Sequence, residues 1–245
     1  MKVLATSDMH GNLEGLDLTG IDLAVFAGDI APLKGRGPWH VYDQLKWMNT
    51  TFKNWCEKWP NTKIVFVPGN HDFFPLIKEK FGSQLAGRNL SLSLASNAAM
   101  LIDRCIDIYS YSQNGRPDDW VRIYGTPWVP IISYSWAFEA ESDKLKEKFS
   151  HIPEGCDIVI SHSPPHISAS DGIDRSLQWG GIEAFGSNEL AAEIAKKSPR
   201  FLFCGHIHTG THDKTLLGDT ACYNVSRVDE NYEIAFAPLT LEIDN

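Results

Sequence analysis

Short apolar runs recur along the chain, and each stops at a cluster of polar and turn-forming residues. Val3-Leu4-Ala5, Leu23-Ala24-Val25-Phe26, Ile64-Val65-Phe66-Val67, Ile158-Val159-Ile160 and Phe201-Leu202-Phe203-Cys204 are such runs. Bounded in this way, they predict buried strands. Between the second and third, Leu45, Met48, Phe52, Trp55 and Trp59 recur at spacings of three and four. That period predicts an amphipathic helix whose apolar stripe, tryptophans included, packs into the core. Charged residues around Leu145 predict a second helix over Ser142–Phe149. Asn188–Lys197 predicts a third, with Asn188 as N-cap and Pro199 just past its end. Ala98–Trp128 reads instead as short alternating strands, folded into a hairpin at Gln113-Asn114-Gly115-Arg116-Pro117. The tail, Tyr223–Ile243, returns to short alternating strands. Pattern alone therefore predicts mixed α/β.

Length and composition narrow this picture. No repeat, low-complexity tract or linker divides the 245 residues, which are expected to form one domain spanning 1–245. The stretch Ser163–Ser187 is rich in Pro, Ser and Gly yet carries Trp179 and Phe185, and so long a loop is expected to be functional. A formal charge of −9 argues against broad electrostatic capture of nucleic acid, and no stable nucleic-acid partner is expected. No apolar run is long enough to span a bilayer, and the amino terminus enters a strand without a signal-peptide pattern, so a cytoplasmic protein is expected. Cys56, Cys105, Cys156, Cys204 and Cys222 are odd in number and lack Cys-x-x-Cys spacing, which predicts reduced, packed thiols.

The chemistry lies at the strand ends. Asp8-x-His10, Gly28-Asp29, Gly69-Asn70-His71-Asp72, Ser161-His162-Ser163 and Gly205-His206-x-His208 each follow one of the apolar runs. Strand ends are where open α/β sheets place their sites. Side chains at i and i+2 of an extended strand project to one side, which makes Asp8/His10 and His206/His208 chelating pairs. The set suits phosphate-ester hydrolysis, in which two cations about 3.5–4 Å apart activate a shared water or hydroxide and clamp the phosphoryl oxygens. Such proximity needs a bridging anion, and Asp29 is the expected bridge. Mixed His, Asp and Asn ligation favours Mn, with Fe, Zn, Co or Ni next; Mg is less natural with so many imidazoles.

The five segments, in this order, resemble the calcineurin-like metallophosphoesterases over Lys2 to about Val225. A narrower likeness is to the small single-domain metallophosphoesterase-domain-containing branch, some of whose members hydrolyse cyclic nucleotides. It rests on Tyr124-Gly125-Thr126-Pro127-Trp128, Ile152-Pro153-Glu154-Gly155, His162-Ser163-Pro164-Pro165, Gly205–Gly210 and Asn224. The resemblance implies a four-layer α/β/β/α sandwich of two mixed sheets flanked by helices. It implies a first metal on Asp8, His10, Asp29 and His208, and a second on Asp29, Asn70, His162 and His206. His71 would stand outside both shells and protonate the leaving oxygen as general acid. Vertebrate-type members of the branch can carry Gly at the position of His206; the histidine here implies a complete two-metal site.

The expected activity is thus metal-dependent hydrolysis of a small phosphodiester such as a cyclic nucleotide. The alternative is a phosphomonoesterase or a Ser/Thr protein phosphatase of the same superfamily. Protein phosphatases of the superfamily carry Asp-Arg-Gly after the second motif, whereas Gly28-Asp29 is followed here by Ile30-Ala31-Pro32-Leu33-Lys34-Gly35, which lacks it. A nuclease is disfavoured by the acidic charge. A non-catalytic scaffold is disfavoured because no ligand or catalytic histidine is lost. Asn12, Arg36 and His212 are the candidate substrate-binding residues, and Trp128 and Trp179 are candidate stacking surfaces. Asp72 is read as structural, capping the helix that follows.

Overall fold

The computed structural model describes residues 1–111, 117–167, 172–176 and 183–244. Its first sheet contains β1 (Lys2–Thr6), β2 (Leu23–Ala27), β3 (Lys63–Val67), β4 (Ala98–Met100) and β13 (Leu239–Glu242). The order is β13-β1-β2-β3-β4, parallel except where β13 runs antiparallel to β1. The second sheet contains β5 (Arg104–Tyr111), β6 (Pro117–Thr126), β9 (Ile158–Ser161), β10 (Phe201–Cys204), β11 (Thr215–Leu217) and β12 (Thr220–Asn224). Here the order is β11-β12-β10-β9-β6-β5, parallel at the centre and antiparallel at both edges. A short parallel pair, β7 (Val129–Pro130) and β8 (Glu139–Ala140), stands apart from both.

Period-two alternation explains how these strands can be apolar throughout. Val3, Ala5, Val25, Ala27, Val65 and Val67 pack against Ile123, Ile158, Ile160 and Phe203 between the sheets. The intervening Leu4, Ala24, Phe26, Ile64 and Phe66 face the first helical layer on the opposite side. That layer is α1 (Pro38–Trp47), a π-helical turn over Met48–Phe52, and α2 (Lys53–Cys56). Leu45, Met48, Phe52 and Trp55 of the predicted stripe are buried as expected, with Phe52 stacked on Trp55; Trp59, half-buried, lies just beyond the helix and packs edge-on to Trp55. A short α3 (Ile77–Phe81) completes this side. On the outer face of the second sheet, Tyr124, Val159, Leu202 and Cys222 meet Leu145 and Phe149 of α4 (Ser142–Ser150) and Leu190 and Ile194 of α5 (Asn188–Lys197). The layers run α/β/β/α, as the resemblance implied.

Three local expectations are corrected. Ser187, not Asn188, caps α5: its extended backbone lets Oγ accept from the Leu190 N–H at 3.1 Å, and Asn188 is already helical. The stretch from Ala98 divides between the sheets, because β4 pairs with β3 while β5 and β6 form the antiparallel hairpin. Its turn residues 112–116 lie outside the described residues. The tail likewise divides, β12 joining the second sheet and β13 the first. All five cysteines are free and all but Cys105 are buried. Among the described residues no helix is long and apolar enough to cross a membrane.

Candidate metal centre

β1, β2 and β3 deliver their C-terminal ends to one edge of the first sheet, and β9 and β10 deliver theirs to the facing edge of the second. Backbone hydrogen bonds weld these ends together. Ser7 N–H donates to Val225 O at 2.8 Å, Asp8 N–H to Gly28 O at 3.0 Å, His10 N–H to Asp29 O at 2.9 Å, and Gly205 N–H to His162 O at 3.1 Å. The five predicted segments therefore meet in one place.

The chelating pairs arise by a different route from the strand alternation expected of them. β1 ends at Thr6 and β10 at Cys204, so Asp8, His10 and His206 lie beyond the extended backbone. Asp8 (φ 54°), His10 (φ 44°), Asp29 (φ 53°) and His206 (φ 71°) all occupy the left-handed region. Non-glycine residues there cost about 1–2 kcal/mol each and cluster at functional sites. The glycines of the motifs are required by close approach. A Cβ on Gly28 would lie 2.2 Å from His162 Nδ1, one on Gly69 2.1 Å from Asp29 Oδ1, and one on Gly205 2.3 Å from Asp8 Oδ2. Gly28 also has φ 105°. Gly28→Ala is expected to lose about 2 kcal/mol or more through overpacking and backbone strain. Thermal unfolding together with metal content would register it; an unchanged midpoint would show that His162 yields freely.

At the centre lies the buried carboxylate of Asp29. Its Oδ1 accepts from the His71 N–H at 2.8 Å, leaving Oδ2 3.3 Å from His162 Nε2, 3.9 Å from His10 Nε2 and 4.0 Å from His71 Nε2. Asp8 Oδ1 stands 3.6 Å from His208 Nε2, and its carboxylate also accepts from the His206 N–H. Donor atoms of Asp8, His10 and His208 lie within 4.8 Å of one another, as do those of Asp8, Asp29 and His162, and those of His10, Asp29 and His71. Asn70 Oδ1 reaches His162 Nε2 at 2.9 Å, and the His206 ring stands 5.1 Å from that of His162.

Does this set suit divalent ions? Among the described residues, both ring nitrogens of His10 and the Nδ1 of His71 are buried without a hydrogen-bond partner, a state that costs free energy unless something binds there. His162 Nδ1–H donates to Ala27 O at 2.8 Å and His208 Nδ1–H to Asp229 O at 3.0 Å. These bonds turn both Nε2 atoms inward, the usual way a ligating imidazole is oriented. The donor set fits two such ions.

Electrostatics agree. Burial alone would raise both carboxylates, but His208 holds Asp8 below the usual range and His162 with His71 holds Asp29 well below it. Burial would lower His162 and His208, yet Asp29 lifts the first to about 9 and Asp8 lifts the second to about 8. His10 and His206 are pushed down by burial to about 4 and about 3, neutral and ready to ligate. Loading at pH 7 is therefore expected to release about two protons, those of His162 and His208. Calorimetry in buffers of different ionisation enthalpy would count them; zero release would contradict the proposed ligand set. In the metal-free chain both folded values lie above the ordinary 6.5. The two ion pairs accordingly stabilise it fully below pH 6.5 and are lost as pH rises through about 8 and about 9.

Asp72 acts structurally, though not as a helix cap. Its Oδ2 accepts from Ile30 N–H and Gly69 N–H, both at 2.9 Å, and Oδ1 from Ala31 N–H at 2.8 Å. It ties the loop after β2 to the turn after β3. Asn224 does the same for the last motif, donating to Ile207 O at 2.6 Å.

The candidate substrate residues fare differently. Asn12 is exposed, and its Oδ1 accepts from the Glu14 N–H at 2.9 Å in a local turn. His212 Nε2 is bound to Ser226 O at 2.8 Å, and its ring stacks on Phe236. Arg36 comes closest: its guanidinium lies 4.2 Å from the ring centre of Trp136, which stacks at 4.3 Å on His71. Trp128 is engaged elsewhere, its Nε1–H donating to the Asp103 carboxylate at 2.9 Å. Trp179 lies outside the described residues. Trp136 and Tyr232, whose rings border His71, belong to no motif; only long-range contacts bring them here.

Comparison with known proteins now decides the family. The model of the calcineurin-like phosphoesterase family matches residues 1–210. The chain belongs to that family. It is 27% identical over 251 residues to metallophosphoesterase domain-containing protein 1 of Homo sapiens, covering 99% of this chain and 71% of that one. A UPF0046 protein of Caenorhabditis elegans is 27% identical over 195 residues, 75% of this chain and 63% of its own. Among solved structures, TT1561 of Thermus thermophilus superposes with a TM-score of 0.54 at 15% identity, covering 91% of this chain and 88% of that one, a likeness of fold. Membership in the calcineurin-like family, together with the three donor groups, makes this a metal-dependent phosphoesterase.

Proposed function

We propose that the protein is a dinuclear phosphodiesterase acting on a small substrate, with cyclic nucleotides the leading class and Mn the favoured metal. The observation that carries this reading is the carboxylate of Asp29, set between imidazoles from both sheets at 3.3–4.0 Å. Asp8, His10, Asp29 and His208 would hold one ion, and Asp29, Asn70, His162 and His206 the other. Bound there, two ions would lower the pKa of water and neutralise the phosphoryl oxygens. The chain's own residues do the rest. Ala27 O and Asp229 O hold the two ligating imidazoles in one tautomer. His71, backed by the Trp136 ring, donates its proton to the departing oxygen. Preference for a diester is supported by the branch resemblance, and a protein phosphatase is disfavoured by the lack of Asp-Arg-Gly in Ile30-Ala31-Pro32-Leu33-Lys34-Gly35 after the second motif.

The test compares Mn-dependent release of p-nitrophenol from bis(p-nitrophenyl) phosphate and from p-nitrophenyl phosphate. Higher kcat/KM on the diester is expected, followed by hydrolysis of cyclic nucleotides. Preference for the monoester would replace the diester reading with a phosphomonoesterase.

A further inference from the structure

The turn Asp229–Glu233 follows the last family motif, and it is moored to the metal centre. Asp229 builds it. Its N–H donates to Glu233 O at 2.9 Å, while its carboxylate accepts from the N–H groups of Asn231 at 2.8 Å and Glu233 at 3.1 Å. The carbonyl of the same residue accepts from Tyr232 N–H at 3.0 Å and from His208 Nδ1–H at 3.0 Å. One backbone oxygen thus orients an imidazole of the centre and closes the turn.

Tyr232 stands at the corner with φ 63°, in the region glycine fills most easily. The strained conformation has a directional result. The phenol ring meets the rings of His10 at 4.8 Å and His208 at 5.3 Å, both nearly perpendicular, and that of His71 at 6.2 Å. Even so, 51% of the residue remains exposed. A ring serving only to fill space would be covered on all sides; this one covers imidazoles with one part of its surface and offers the remainder to solvent at the mouth of the site. Trp136 cannot serve in the same way, because His71 and Arg36 both stack on it, at 4.3 Å and 4.2 Å. Trp128 is committed to Asp103.

We infer that Tyr232 is the specificity-determining wall of the site. It supplies an aromatic surface to the organic part of a phosphate ester, so that esters bearing a planar ring bind in preference to alkyl esters. The inference rests on the phosphoester reading of the same centre, but it is tested by binding, which needs no turnover.

Phenyl phosphate, ethyl phosphate and inorganic phosphate would be titrated calorimetrically into the Mn-loaded wild type, Tyr232→Phe, Tyr232→Leu and Tyr232→Ala. Stacking of this kind is worth about a ten- to hundredfold change in Kd. Wild type and the Phe variant are expected to prefer phenyl over ethyl phosphate by about that factor. The Leu and Ala variants are expected to lose the preference while binding inorganic phosphate within about twofold of wild type. Equal weakening of all three ligands in the Ala variant would mean that Tyr232 merely shelters the centre, and would overturn the inference; so would a wild type indifferent to the ring. A retained preference without hydrolysis of any phosphoester would sink the proposed activity and leave the aromatic wall standing.

Discussion

Asp29→Asn is expected to lower kcat/KM on bis(p-nitrophenyl) phosphate by about three orders of magnitude, because charge stabilisation by ions is worth several kcal/mol and each ~1.4 kcal/mol is tenfold. The metal content is expected to fall from two ions per chain to one or fewer. The substitution separates folding from chemistry. The acceptor role of Oδ1 toward His71 N–H survives on an amide oxygen, so the turn after β3 keeps its anchor. Oδ2 is the atom that changes: it becomes an NH2 group facing His162 and His10 across 3.3 Å and 3.9 Å. A donor in that position cannot ligate, and a neutral group cannot offset two cations held together. Elemental analysis, circular dichroism and kinetics on one preparation would read the three consequences separately. A variant that kept both ions and activity within tenfold of wild type would remove Asp29 from the bridging position.

Much of this centre was legible because its parts are local. Each candidate ligand sits within five residues of the end of an apolar run, and runs such as Ile64–Val67 announce strands whatever surrounds them. The parallel order of those strands then carries their ends to one edge. The backbone was not legible in the same way. Asp8 and His10 share a face because both lie in left-handed conformations held by Gly28 O and Asp29 O, and those acceptors come from another strand. Asp72 shows the same limit. Its carboxylate serves N–H groups 41 and 42 residues away as well as one nearby, a role that no spacing encodes. The aromatic surroundings were least legible. Trp136 reaches His71 because Ala137 N–H donates to Asn70 O at 3.0 Å, and Tyr232 reaches His10 through the turn moored to His208. Trp128 stands out in the sequence as a stacking surface, but its indole N–H is held by Asp103.

His71→Ala is expected to slow hydrolysis of an alkyl diester by about 10²–10⁴-fold, the usual worth of a positioned general acid. It should slow a p-nitrophenyl diester far less, because p-nitrophenoxide leaves readily without a proton. That contrast reads the role itself, since a loss of metal would depress both substrates together. The geometry makes the distinction necessary. His71 Nε2 lies 4.0 Å from Asp29 Oδ2 and within one of the three donor groups, so proximity alone does not exclude it from ligation. Two features favour the acid role. Its ring is stacked on Trp136 at the margin of the centre, and no carbonyl among the described residues turns its Nε2 inward as Ala27 O and Asp229 O do for His162 and His208. Burial lowers its pKa from the ordinary 6.5, while the charge of Asp29 opposes the change. A general acid works only with its proton in place, so turnover of the alkyl ester should already be falling with rising pH below 6.5, and the limb should vanish in the variant. Metal content decides between the roles: two ions retained in His71→Ala assign it to the leaving group, and one ion lost would make it a ligand.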